Sequence, residues 1–202
     1  MKCRSFVAVL LRMTAFAVVL VGMGSIGATA WAQSGGGGAA GSRATEDVIV
    51  GPLRTQWEMT GDLIMNIARI IPESLYDYRP TPEVRSMREL LTHIASENAL
   101  YMPIVAGAPA QDREAIEALQ GRDEILKALQ ASYDYGDRTL ANMTDETAAD
   151  IIDMRGRQVL RWYAVFYNIW DNMDHYGNLV VYVRMNKLTP PRPPAGSSRR
   201  RQ

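Results

Sequence analysis

Cysteine is almost missing from this chain and histidine is scarce: one Cys, at position 3, and two His, at 93 and 175, in 202 residues. With no Cys-x-x-Cys-His anywhere, a c-type haem attachment is excluded. A basic excess is missing too, because 22 Lys and Arg balance 22 Asp and Glu to a formal net charge of zero. That balance argues against a general nucleic-acid binder, which would carry a basic stripe. No Gly-rich phosphate loop, internal repeat or convincing strand pattern is visible either.

What is present begins with an address. Lys2, Arg4 and Arg12 give a basic start, and "MTAFAVVLVGMGSIGATAWA" supplies an apolar run rich in small residues. Ala30-Trp31-Ala32 matches an A-x-A cleavage site, so residues 1–32 read as a signal peptide cut after Ala32. The alternative is a retained anchor, since roughly twenty apolar residues just span a bilayer. The small residues and the cleavage site favour cutting, which leaves no stable membrane span and directs the protein to the periplasm or outside the cell. Cys3 goes with the leader, and the mature protein then has no thiol and no disulfide. Its stability must come from a packed core.

Residues 33–46, "QSGGGGAAGSRATE", have the composition of a flexible linker. Residues 47–190 then turn helical, and residues 191–202 form a Pro- and Arg-rich tail expected to be disordered. Leu53, Trp57, Thr60, Ile64, Ile67 and Ile71 recur at spacings of three and four on the first helix, which Pro72 stops. Ser86 with Glu89 predicts a capping box for the second helix. Met87, Leu90, Leu91, Ile94, Met102 and Val105 make its apolar side, and Gly107 with Pro109 closes it. "DREAIEALQ" is a short helical piece, and "GRDEILKALQASYDYGDRTLANM" is a third long helix. Thr144 opens a further turn or two in "TDETAADII", and the fourth long helix is expected from about Arg157 to Asn186. Four long helices joined by connectors of up to about fifteen residues predict an all-α four-helix bundle.

Few groups can carry chemistry. Asp171 and His175 lie four residues apart, so they project from one side of the last helix. A divalent metal needs a third ligand from another helix, and His93 is the natural one. Two imidazoles and a carboxylate suit zinc, or non-haem iron with open positions. Glu97, one turn after His93, is a further ligand or a partner to the ligands. The bland reading is a solvated or hydrogen-bonded histidine with no metal. The wheel of the last helix leaves that open, for it has two faces. Trp162, Phe166, Ile169, Met173 and Val180 make an apolar one. Ala164, Tyr167, Asn168, Asp171, His175, Asn178 and Tyr182 make a polar-aromatic one. The surplus of apolar surface points to a homodimer.

"YDYRPTPEVRSMRELLTHIA", Tyr76 to Ala95, and "DHYGNLVVYVRMNKLTPP", Asp174 to Pro191, resemble the DinB/YfiT-like superfamily. The resemblance runs from about Gly51 to Pro194. It implies a four-helix bundle holding a divalent metal through three histidines, one early in the second helix and two spaced by four on the last. His93 matches the first and His175 the last; Asp171 stands where the pattern has histidine. Family members with known activity include transferases that use low-molecular-weight thiols, whose metal would stabilise a thiolate. The resemblance therefore implies a metal-dependent transferase or hydrolase with a small-molecule substrate. Its metal centre would be His93, Asp171 and His175, with zinc, iron, manganese or nickel as the ion. Tyr167 and Tyr182 are candidates to position the substrate. The competing reading is a non-catalytic exported dimeric helical module whose metal site has degenerated at Asp171.

Overall fold

Residues 47–191 are described in a computed structural model, so the leader, the linker and nearly all of the tail lie outside the described residues. The chain is mostly helical. Its helices are α1 (Val50–Ile70), α2 (Met87–Ala106), α3 (Arg113–Glu117), α4 (Arg122–Ala141), α5 (Asp145–Ala148) and α6 (Arg161–Met185), with a short 3-10 turn at Glu73–Leu75. No helix among the described residues is long and apolar enough to cross a membrane.

The helix punctuation follows local chemistry. Ile49 precedes α1 and has no side chain with which to cap it. The Asp145 carboxylate does so from across the fold, accepting from the amides of Val48, Ile49 and Val50 at 2.6–3.1 Å. At α2 the predicted box is present: Ser86 accepts from the Glu89 amide, and Glu89 accepts from the Ser86 amide. Gly107 ends that helix in the left-handed conformation, φ 70°, which only glycine adopts without steric cost.

Packing joins these helices through one core. α1 and α2 each pack against both α4 and α6. The stripe read on α1 is buried from Trp57 to Ile71, and every residue of the α2 stripe is buried. Gly136 on α4 lets the two inner faces approach, because it lies directly against the Trp57 indole. Beneath that ring Tyr133 packs with a centroid separation of 5.1 Å.

The segment before α6 departs from expectation. Where helix was predicted, β1 (Ile151–Met154) and β2 (Arg157–Leu160) pair antiparallel, with Ile151 opposite Leu160 and Met154 opposite Arg157. The all-α reading is corrected to that extent, and α6 begins at Arg161 rather than near Arg157. Arg155 and Gly156 form a two-residue turn with φ of 58° and 83°, the positive pair that matches the twist of a hairpin. Met154 is buried and anchors the hairpin to the core.

Candidate metal centre

On α6 the inward residues Val165, Asn168, Asn172, His175, Leu179 and Tyr182 are all buried, stepping by three and four. The polar face of the last helix is thus largely the inner one, while Phe166 and Trp170 are 49% and 59% exposed. Asn178 is the exception and faces out. Of the apolar set, Ile169 is buried.

A hydrogen-bonded layer sets the rotation of α6. Asn98 on α2 accepts from the side-chain amides of Asn168 and Asn172 at 3.1 and 2.9 Å, and donates to Ser132 on α4 at 3.1 Å. Tyr133 donates its phenol proton to Asn172 at 2.7 Å. Burial pushes the Tyr133 pKa up, so the phenol stays a neutral donor. A satisfied buried network of this kind fixes one packing of three helices against alternatives. It therefore aims the residues beside Asn172, which are Asp171 and, one turn on, His175.

Those two meet His93. The apolar anchors Leu90, Leu91 and Ile94 hold α2 so that His93 is half-buried against His175, with ring centroids 4.8 Å apart and planes at 76°. One ligand atom from each of His93, Asp171 and His175 lies within 4.8 Å of the other two. His175 Nε2 and Asp171 Oδ2 are 3.5 Å apart, close to the ~3.4 Å expected between two ligands of a tetrahedral ion with bonds of about 2.1 Å. The predicted trio thus converges.

The donor set fits a metal for a second reason. Asp171 Oδ2 and both ring nitrogens of His175 are buried without a hydrogen-bond partner. Unsatisfied buried polar atoms are costly, about 1–3 kcal/mol each, and Asp171 Oδ2 together with the one unprotonated nitrogen of His175 offers the lone pairs that a cation would take. His93 is ready as a ligand as well. Its pKa is lowered from 6.5 to about 4, first by burial, then by Arg85 and His175, with Asp171 and Glu117 pulling the other way. At neutral pH its imidazole is neutral and offers a lone pair.

That shift has a measurable sign. In metal-free protein the unfolded chain takes up the His93 proton below about pH 6.5, while the folded chain takes it up only near 4. Stability should therefore fall as pH drops through that window and level off below it. For a half-buried group, discounted for solvent screening, the loss is about 1–2 kcal/mol. Urea melts of EDTA-treated wild type and His93→Gln at pH 7 and 4.5 check this; an equal loss in both would assign the effect to other groups.

Glu97 lies outside the converging trio. Its carboxylate pairs with Arg113 of α3, and Arg113 also donates to the Ser96 carbonyl at 3.2 Å. Burial raises the Glu97 pKa, Arg113 lowers it, and the nearby Asp171 charge raises it again. The hairpin turn brings in a residue that sequence reading missed. Arg155 eases the ionisation of Glu97 and of Tyr101, opposing the effect of burial on each. Tyr101 stacks edge-on against Tyr167 at 5.3 Å, so Tyr167 stands one turn from Asp171 at the edge of the centre. Tyr182 is buried and donates to the Arg85 carbonyl at 3.0 Å, which ties it to the start of α2.

A mostly helical fold whose second and last long helices converge on two imidazoles and a carboxylate defines the class. The chain belongs to the DinB superfamily, whose family model matches residues 56–179. Among solved structures it is similar to a DinB-like protein from Bacillus cereus ATCC 10987, at 14% identity and TM-score 0.63, covering 69% of this chain and 94% of that one. It is also similar to a DinB-like protein from Bacillus subtilis, at 20% identity and TM-score 0.57, covering 68% and 93%. At such identities the likeness speaks to the fold alone. No curated protein sequence matches the chain.

Proposed function

We propose that this is an exported DinB-superfamily four-helix-bundle protein that binds one divalent metal through His93, Asp171 and His175 and acts as a metal-dependent hydrolase. The observation that carries the reading is the convergence of one ligand atom each from His93, Asp171 and His175 within 4.8 Å, with Asp171 Oδ2 and the His175 ring nitrogens buried without a hydrogen-bond partner. A divalent ion held there supplies a Lewis acid that lowers the pKa of a bound water or thiol toward neutrality. Export, supported by the basic start, the apolar run and Ala30-Trp31-Ala32, selects water over thiol, because small reducing thiols are scarce outside the cytoplasm. The chain's own residues do the rest. Asp171 contributes a negative charge where the family pattern has a neutral imidazole, so the centre holds its ion as a carboxylate site. Tyr167, one turn before Asp171, stacks edge-on with Tyr101, and Arg155 acts electrostatically on Glu97, one turn after His93.

The exposed Phe166 and Trp170 favour a second reading, a dimeric non-catalytic module. Metal analysis of mature protein after exhaustive dialysis separates the two. The first predicts about one equivalent of metal in wild type, less than about a tenth in Asp171→Asn, and full occupancy in Asp171→His. Substoichiometric metal in all three proteins leaves the dimeric module.

A further inference from the structure

A cleft lies away from the metal centre. It holds about 450 Å³ and opens where α2 and α4 end and α5 and α6 begin. Val105 on its wall is twelve residues past His93, and Arg161 is ten residues before Asp171. Along straight helices those steps amount to about 15–18 Å, so the two sites are separate. The volume falls in the range of small-molecule sites, roughly 300–1,000 Å³.

Its lining has one sign of charge. Arg138 and Arg161 face it, together with the polar Tyr135 and Asn142 and the apolar Val105 and Met143, and no carboxylate is among the lining residues. Two long helices end here and, of the two that begin, α5 is only four residues long, so the helix ends lend an anion no net help and any attraction must come from the arginines. Arg161 is held in place by the Val105 carbonyl at 2.6 Å and by Asp150 at 3.1 Å, yet its Nε–H is buried without an acceptor. Asp150 offsets much of the Arg161 charge, which leaves Arg138 as the main source of positive potential. Its guanidinium lies over the Tyr135 ring, 5.8 Å from the centroid, which fixes a flexible cation at the mouth of the cleft.

We propose that this cleft is a second binding site, for a small organic anion whose carboxylate or phosphate head pairs with Arg138 and Arg161 while its apolar body lies on Val105 and Met143. Planar guanidinium forks match both head groups, and a rigid fork binds them with less entropy lost than a free side chain.

The test uses metal-free mature protein and three probes that share a phenyl ring, benzoate, phenyl phosphate and neutral benzamide, titrated by calorimetry. At least one anion should bind saturably and at least about tenfold more tightly than benzamide, and the tighter of the two identifies the preferred head group. Arg138→Gln, at an exposed position, should weaken it at least about tenfold. Ala106→Trp, also exposed, should block the cleft without touching a charge. His175→Ala should leave binding unchanged. The proposal is overturned if neither anion binds, if benzamide binds as well, if Arg138→Gln binds as wild type, or if binding disappears with His175. Each outcome is independent of whether the protein proves to be a hydrolase.

Discussion

Zinc at a hundredfold excess over its dissociation constant will raise the melting temperature of the mature wild-type protein by roughly 5–11 °C and will leave that of His175→Ala unmoved. The size follows from mass action, since an ion that binds only the folded state at that excess adds about 2.7 kcal/mol. A sharper form of the result concerns the metal-free protein. His175 is 8% exposed, and neither of its ring nitrogens has a hydrogen-bond partner. A structural histidine would be satisfied, and removing it would destabilise. Here His175→Leu should stabilise the metal-free protein by about 1–2 kcal/mol, because it replaces two unsatisfied buried nitrogens with apolar volume. The same variant should lose the whole response to zinc, as should His93→Ala. Scanning calorimetry with and without added zinc, iron, manganese or nickel reads both effects. If His175→Leu melts lower than wild type in EDTA, the imidazole supports the fold and the metal reading loses its main argument.

The second large effect lies away from the site. Gly136→Ala should cost about 2–3 kcal/mol, against the direction of helix propensity, which favours Ala over Gly by about 1 kcal/mol. A Cβ at that position would come within 3.0 Å of three atoms of the Trp57 indole. The ring is held on several sides: it is 1% exposed, its Nε1 donates to the Tyr133 carbonyl at 3.4 Å, and it packs on the Tyr133 ring. Gly177 on α6 is the matched control. It is exposed and a Cβ there meets nothing within 4 Å, so Gly177→Ala should stabilise by about 0.5–1 kcal/mol through propensity alone. Urea unfolding followed by tryptophan fluorescence compares them. Trp57→Phe should recover part of the Gly136→Ala loss, since the two positions are in contact and their effects should not add. Two alanine variants of the same sign would mean that the close approach of α1 and α4 is not tight.

Both expectations bear on how the site is maintained. The layer formed by Asn98, Asn168, Asn172, Ser132 and Tyr133 is satisfied, and the three donors above it on Asp171 and His175 are not. A satisfied layer can hold an unsatisfied one in place, and unsatisfied polar groups in a packed interior mark function more often than stability. The departure at Asp171 from the three-histidine pattern keeps a Lewis base at the position, so the trio still offers three ligand atoms to an ion.

Much of the fold was legible because it is written in short-range chemistry. The stripe on α1, the stripe on α2, the Ser86 capping box and the Gly107 stop need only spacing and side-chain type, and each is where periodicity puts it. The hairpin was not legible. Its strands are four residues long and its turn is Arg-Gly rather than Asn-Gly or Asp-Gly, so neither alternation nor turn residues exceed the helical signal on either side. The inner face of α6 was hidden for the opposite reason. Its core positions hold Asn168, Asn172 and His175, and polar residues at such positions read as surface until a partner is supplied.

By itself the sequence determined which residues could be ligands, since two histidines leave few choices, and it determined where the long helices run. Only the tertiary structure decided that His93 meets Asp171 and His175, that Glu97 belongs to Arg113 instead, and which side of α6 faces in. The physical reason is that helix periodicity is a property of neighbours in the chain. The rotation of one helix against another is set by packing and by hydrogen bonds between residues seventy or more positions apart, such as Asn98 with Asn168 and Asn172.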